Sequence, residues 1–284
     1  KETMRVALIG RSELMYETAV LLLDKGFDIT LIITCKEAPE YKIKNDDFAQ
    51  LAKRIDAAYM YTASLGDSES LSFINKYNNC DIALSVNYSG VIPQKIINCL
   101  ELGILNAHGG DLPRYRGNAC QAWAILNGES KIGLCIHKMI GGELDSGDIV
   151  ARDYLEININ TKIGECYSWM EKRIPELFTH AVKQLVQNRC FVLETQSKEK
   201  QDALRCYPRR PEDGQINWKD SAMNIHRLIN ASSEPFLGAY AEYKGEKKII
   251  WASELVLDDE VYLAVPGQIT NLRVEDDYIV VATG

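Results

Sequence analysis

Three residues carry side chains that together could transfer an acyl group. Asn106 and His108 stand two apart in Ile104-Leu105-Asn106-Ala107-His108, and Asp145 lies far downstream in Leu144-Asp145-Ser146-Gly147-Asp148. A neutral imidazole can take a proton from a nucleophile, a carboxylate can hold and polarise that ring, and a primary amide can donate hydrogens to an oxyanion. Residue types alone leave the function open, because Asn and Asp in loops commonly serve turn geometry and a lone His is commonly structural.

For these groups to meet, the chain must bring them to one edge. Ile104-Leu105 reads as the end of a buried strand, and a spacing of two places Asn106 and His108 on one side of an extended chain. The stretch that follows, Gly109 to Gly117, is a polar, glycine-rich loop, and Asn118 through Asn127 reads as a helix closed by Gly128. Near the start, Arg5 to Gly10 is an apolar strand, Ser12 can cap a helix from Glu13 to Lys25, and Phe27 to Thr34 is a second strand. This βαβ opening implies a parallel sheet. Further strands are expected over Ala57 to Tyr61, Asp81 to Val86, Lys131 to Met139 and Ile149 to Arg152. Helices are expected over Asp47 to Ile55, Ser68 to Tyr77 and Gln94 to Cys99. The loops after three of these strands, Asn87 to Pro93, Ala107 to Gly117 and Ile140 to Asp148, can converge on the carboxyl edge, where open α/β sheets bind ligands.

Ile163 to Asn188 is a long helical pattern interrupted by Pro175, expected as two helices or one with a kink. Past the polar linker Lys198 to Asp202 come a short helix over Met223 to Ala231 and strand-like runs over Tyr240 to Tyr243, Lys247 to Ala252 and Tyr278 to Ala282. The expected fold is therefore α/β. A Rossmann-like, mostly parallel sheet with helices on both faces fills residues 1–200, and a small β-rich domain fills 201–284.

Composition narrows the function classes. A formal charge of −8 over 284 residues argues against broad electrostatic capture of nucleic acid. No apolar run approaches the roughly 20 residues of a membrane span, and no signal peptide opens the chain, so the expected location is the cytoplasm. The eight cysteines form no CxxC pair and no cluster with histidines. They read as reduced, buried thiols, and no metal site is expected. A dinucleotide site needs G-x-G-x-x-G at the first turn, whereas Gly10-Arg11-Ser12-Glu13-Leu14-Met15 has a single glycine. Lys1-Glu2-Thr3 ahead of Met4 reads as a remnant preceding the native start.

The order of the parts is more specific than any one of them. Asn106-Ala107-His108, then Leu112-Pro113-Arg114-Tyr115-Arg116-Gly117, then Trp123-Ala124-Ile125-Leu126-Asn127-Gly128, then Leu144-Asp145-Ser146-Gly147-Asp148-Ile149 closely resembles the signature of the 10-formyltetrahydrofolate-dependent formyltransferases. The resemblance implies that a primary amine attacks the formyl carbon carried by the folate, giving an N-formyl product and tetrahydrofolate. It places Asn106, His108 and Asp145 at the family's catalytic positions. It also implies that the loop holding Tyr88, Ser89, Gly90 and Ile92 binds the pterin, with Met139, Gly142 and Glu143 across from it and Leu112 as a further apolar face. The chain departs from the family's frequent Pro-Ser-Leu-Leu-Pro after the histidine, reading Gly109-Gly110-Asp111-Leu112-Pro113. Asp111 is thereby expected near the amine, and Arg116 beside it, as substrate contacts. Cys120 is expected as a small packing residue.

Which amine is formylated turns on other segments. Methionyl-tRNA formyltransferases typically carry a proline-, arginine- and glycine-rich insertion after the second strand, and Cys35 to Asp47 lacks that pattern. Tyr207 to Trp218 resembles the domain junction of sugar N-formyltransferases, where Arg209 and Arg210 could meet a diphosphate. The expected substrate is a small-molecule nucleotide sugar, a UDP- or dTDP-4-amino-4,6-dideoxyhexose of lipopolysaccharide or capsule synthesis. The alternatives are tRNA formylation and a non-catalytic folate-binding module. A homodimer through the small domain is the default expectation.

Overall fold

Val6 to Gly10 and Ile82 to Val86 are apolar with almost no alternation, as strands covered on both faces must be. In the computed structural model every one of these ten residues is buried, and the two runs are parallel neighbours inside a seven-stranded sheet. The structure describes residues 4–77, 79–257, 260–273, 275 and 277–284; Lys1 to Thr3, read above as preceding the native start, lie outside them.

In chain order the elements are β1 Arg5–Gly10, α1 Ser12–Asp24, β2 Asp28–Thr34, α2 Asn45–Ile55, β3 Ala58–Tyr61, α3 Ser68–Tyr77, β4 Ile82–Val86, α4 Gln94–Ile97 and β5 Ile104–His108. There follow β6 Arg116–Gly117, α5 Cys120–Leu126, β7 Lys131–Lys138, β8 Ile149–Glu156, α6 Ile163–Gln187, β9 Arg205–Cys206, α7 Ala222–Ser232, β10 Ala239–Tyr243, β11 Glu246–Ile250, β12 Ile269–Arg273 and β13 Tyr278–Val281.

These elements form two compact units. One holds the described residues up to Gly117 with Gly133–Leu155 and Ser168–Arg205; the other holds Asn118–Ile132, Glu156–Tyr167 and the described residues from Cys206. Two stretches from the first 200 residues thus belong with the C-terminal part.

The first unit is built on the sheet β3-β2-β1-β4-β5-β7-β8. Neighbours from β3 through β5 run parallel, and β7 is antiparallel to β5. Strand order reverses between β1 and β4, the kind of switch point at which such sheets bind ligands. Ala7, Ile9, Ile33, Ala83 and Ile104 from the sheet join Ile92 and Ile96 in one apolar cluster.

One local expectation is corrected. Ser12 does not cap α1; Arg11 occupies the N-cap without a side-chain bond. Ser12 is buried at φ +79°, and its hydroxyl oxygen accepts from Asn87 Nδ2 at 3.1 Å. A Cβ on Gly10 would stand 2.2 Å from the Val86 carbonyl oxygen, so the chain leaves β1 pressed against β4 and Ser12 turns inward. Arg11 then ties the exits of β2 and β4 together, donating to Lys36 O at 2.7 Å and Asn87 O at 2.6 Å. Of the two outcomes expected around Pro175, two helices or one, α6 is one helix with the proline inside it. Burial of Ile174, Leu177, Phe178, Ala181, Val182 and Leu185 outweighs the one hydrogen bond the proline cannot donate.

In the second unit, Ile225 and Ile229 of α7 pack on Ile216, Ala239 and Ala241. β10 and β11 form a hairpin whose turn residues Lys244 and Gly245 both have positive φ, as a two-residue hairpin turn requires. β12, a polar run that hydropathy did not single out, pairs antiparallel with β13.

Candidate active site

The apolar run of β5 ends at Leu105, yet the strand continues to His108 because β7 supplies a backbone partner. Asn106 pairs with His137 and His108 with Cys135. Directly opposed residues project to the same face of a sheet. The side chains of Asn106, His108 and His137 are thereby gathered on one face, and the loop before β8 brings Asp145 to them.

The carboxylate of Asp145 sits between two imidazoles. His108 Nδ1 lies 3.5 Å from its Oδ2, and His137 Nε2 lies 3.5 Å from its Oδ1. The Gly117 N–H donates to Oδ2 at 2.9 Å. Burial raises the Asp145 carboxyl, but His137, His108 and the Gly117 N–H more than offset it and hold the group at about 2. Asp145 is therefore an anion at neutral pH.

His108 is 7% exposed, and its Nε2 donates to Tyr115 O at 2.6 Å. Burial lowers its pKa, the Asp145 carboxylate and the Tyr115 carbonyl partly oppose that, and His137 and Arg116 push it down further. The ring is neutral at pH 7, with Nδ1 turned toward an anion that would stabilise a proton arriving there. Asn106 Nδ2 lies 3.3 Å from His137 Nε2, whose ring donates through Nδ1 to Lys138 O at 3.0 Å. That contact takes at most one of the two amide hydrogens of Asn106, so one is left for a ligand.

The loop after His108 is closely fitted. A Cβ on Gly110 would stand 2.3 Å from Tyr115 O and 2.6 Å from His108 Nε2, so glycine there admits both the ring and its acceptor. Cys135 Sγ donates to Gly110 O at 3.3 Å. Asp111 makes scaffold bonds through one carboxylate oxygen, and its side chain is partly exposed. Its Oδ1 accepts from Arg152 Nη1 at 2.7 Å and from Tyr154 OH at 3.0 Å. Arg152 Nη2 also donates to Leu112 O at 2.8 Å, which pins the same loop from below. Arg116 donates through Nε and Nη2 to Gln196 Oε1 and through Nη2 to Ser197 O.

The residues expected around a pterin divide into two groups. Tyr88, Ile92 and Met139 share the apolar cluster beneath the carboxyl edge. Tyr88 OH donates to Thr62 O at 2.7 Å, and Ser89 donates through Oγ to Cys35 Sγ at 3.2 Å. Gly90 runs against the Ala63 carbonyl, 2.3 Å from where a Cβ would stand. Opposite, Gly141 N donates to Gln94 Oε1 at 2.8 Å, which joins the 139–143 segment to α4; Gly142 and Glu143 are exposed beyond it. Leu112 stands apart, 1% exposed in a separate cluster with Cys135 and Ile149.

Arg209, Arg210 and Cys120 belong to the second unit. Arg209 donates to Ala231 O, Asp213 O and Ser232 Oγ, and burial lowers its pKa. Arg210 is exposed, with its backbone N–H on Asp213 Oδ2 at 2.6 Å. Cys120 is buried.

Two site residues escape sequence reasoning. His137 had a signal, a lone ionisable group after the fully apolar Ile132 to Ile136, but only the β5–β7 register places it beside Asn106. Gln196 had none, standing in a stretch with no periodicity.

Comparison with known proteins follows the same lines. The formyl transferase family model matches residues 4–182, and the model of the formyl transferase C-terminal domain matches residues 209–284. A methionyl-tRNA formyltransferase of Acetivibrio thermocellus is 26% identical over 99% of this chain and 88% of its own length. Among solved structures, the N-formyltransferase of Helicobacter canadensis in complex with folinic acid and dTDP-3-aminofucose is 16% identical. It superposes with a TM-score of 0.69 over 99% of this chain and 96% of that one. HypX of Aquifex aeolicus with tetrahydrofolic acid is 17% identical with a TM-score of 0.62. The match spans all of this chain but 42% of HypX.

Proposed function

Because the chain belongs to the formyl transferase family, we propose that it transfers the formyl group of 10-formyltetrahydrofolate to the primary amine of a nucleotide-linked amino sugar. A UDP- or dTDP-4-amino-4,6-dideoxyhexose destined for lipopolysaccharide or capsule is the substrate class, handled in the cytoplasm. The observation that carries the reading is the meeting of Asn106, His108 and Asp145 at the end of β5.

In this reading the amine nitrogen attacks the formyl carbon, and the carbonyl electrons move onto oxygen. The free amide hydrogen of Asn106 stabilises that oxyanion. His108 Nδ1 takes the proton released by the amine, directly or through a water, while Nε2 stays on Tyr115 O. The imidazolium so formed is held by Asp145. When the oxyanion collapses, the bond to folate N10 breaks and the proton passes from His108 to N10. Tyr88, Ser89, Gly90, Ile92 and Met139 flank the donor, with Gly142 and Glu143 at the opening, and Arg210 is the basic group left available to a diphosphate.

The choice of a sugar amine rests on the mixed-charge Cys35 to Asp47 segment and on the near-complete mutual coverage with the Helicobacter canadensis enzyme. The curated relative at 26% identity supports a second reading, formylation of charged initiator tRNA. Incubation with 10-formyltetrahydrofolate and either a panel of nucleotide amino sugars or charged tRNA, following tetrahydrofolate release, separates the two. Turnover with tRNA alone would overturn the sugar reading, and no turnover with any amine would reduce the chain to a folate-binding module.

A further inference from the structure

Gln196 lies between the stretches matched by the two family models, in a segment outside helices and strands. That segment is laid against the start of β8. Ile149 N donates to Glu194 O at 2.9 Å, Glu194 N returns a bond to Ile149 O at 3.1 Å, and Gln196 N donates to Asp148 Oδ1 at 3.3 Å. The Gln196 side chain is thereby carried inward, where it is 2% exposed.

Every hydrogen-bonding position of its amide is used. Nε2 donates to Asp145 O at 2.9 Å and to Gly147 O at 2.7 Å. Oε1 accepts from Arg116 Nε at 3.1 Å and Nη2 at 2.6 Å. The amide therefore joins the backbone that carries Asp145 to the side chain beside Gly117, whose N–H holds the Asp145 carboxylate.

We propose that Gln196 is a positioning residue for the formyl-transfer site, fixing the 145–147 backbone so that the Asp145 carboxylate faces His108. Asp145 has φ +49°, a conformation a non-glycine residue keeps only where its surroundings hold it. On one side the loop is pressed to β7, since a Cβ on Gly147 would stand 1.7 Å from Lys138 O. Gln196 closes the other side. Asp145 from the loop, His137 from β7 and Arg116 from β6 are among the charged and titratable groups that act on the His108 ring. Of these, Gln196 holds two directly.

The proposal rests on the reading of His108 and Asp145 as catalytic, and its test distinguishes the two. Q196M has nearly the same volume and no hydrogen-bonding groups. Q196E keeps an oxygen for Arg116 but replaces the two donors that hold the loop. In both variants kcat falls about 10- to 100-fold, the effect of a small misplacement of a catalytic group, while KM for 10-formyltetrahydrofolate stays within about twofold. In Q196M the titration midpoint of His108, followed by imidazole NMR, moves down as the supporting carboxylate is released. Wild-type kcat in Q196E, or an unmoved His108 midpoint in Q196M with a native near-UV spectrum, overturns the role. If the wild-type protein transfers no formyl group, the catalytic reading fails, and the titration still reports on the link.

Discussion

At the scale of single residues, the site is organised by one carboxylate between two imidazoles. Asp145 titrates at about 2 in place of the ordinary 3.8, so the unfolded chain binds the proton more readily than the folded one. The stability this contributes is fully present above pH 4 and is lost as pH falls toward 2, on the order of 2 kcal/mol in all. Acid denaturation of D145N followed by circular dichroism is expected to lack that component. His108 adds a loss in the same direction, beginning higher. Its folded pKa lies below the ordinary 6.5, so protonation in the unfolded state draws the protein apart as pH falls through that value. The same depression places the acidic limb of the kcat profile below pH 6.5. H108N is expected to abolish turnover while folate binding, measured by calorimetry, remains; turnover like that of the wild type would reject His108 as the proton carrier. H137Q keeps a polar group near Asn106 but removes one imidazole from Asp145, and a roughly 10-fold loss of kcat is its expected signature.

At the scale of elements, the loop between β5 and β6 determines whether His108 is held. Gly110 is the test, because neither contact its Cβ would meet is the end of a flexible chain: one is a backbone oxygen and the other the buried His108 ring. G110A is expected to displace the ring and to cost about 1–3 kcal/mol of stability, read from the denaturant midpoint, with a loss of kcat out of proportion to that cost. The Gly109-Gly110-Asp111 departure from the family's frequent sequence has a structural counterpart in Arg152 and Tyr154, which take the Asp111 carboxylate. The expectation of Asp111 as a substrate contact did not include these partners, because they come from a strand far downstream in the sequence. At Pro175 local backbone chemistry left two outcomes open, two helices or one, and burial of one helix face goes with the single helix observed.

At the scale of the molecule, the two units divide the work. The first carries Asn106, His108 and Asp145, proposed for formyl transfer, and the second carries the arginines once read together as a diphosphate pair. Their surroundings separate them. R209A removes bonds to three oxygens, two of them in partly buried contacts, and is expected to lower stability by about 1–3 kcal/mol. R210A is expected to leave the melting temperature unchanged and to raise KM for the nucleotide sugar. A salt-independent, unchanged KM would remove Arg210 from the site. The homodimer expected through the small domain is checked by sedimentation. Val261 and Leu263, almost fully exposed in that unit, are the positions at which a charged substitution would yield monomers.

Much of this was legible in the chain itself. Apolar periodicity located β1 to β5, β7 and most helices, because spacing along a strand or helix is a local property, whereas formyl transfer was implied by the resemblance of the ordered fragments around Asn106, His108 and Asp145 to a known family. The partners were not local. Whether Asp111 is free, whether Arg116 meets substrate, and that His137 and Gln196 complete the Asp145 environment depend on strand register and on segments far apart in sequence. Side chains distant along the chain acquire their charge state and orientation only when folding removes water and places them within bonding distance. Residue types therefore determined the chemistry available at the end of β5, and tertiary structure decided which groups are left to perform it.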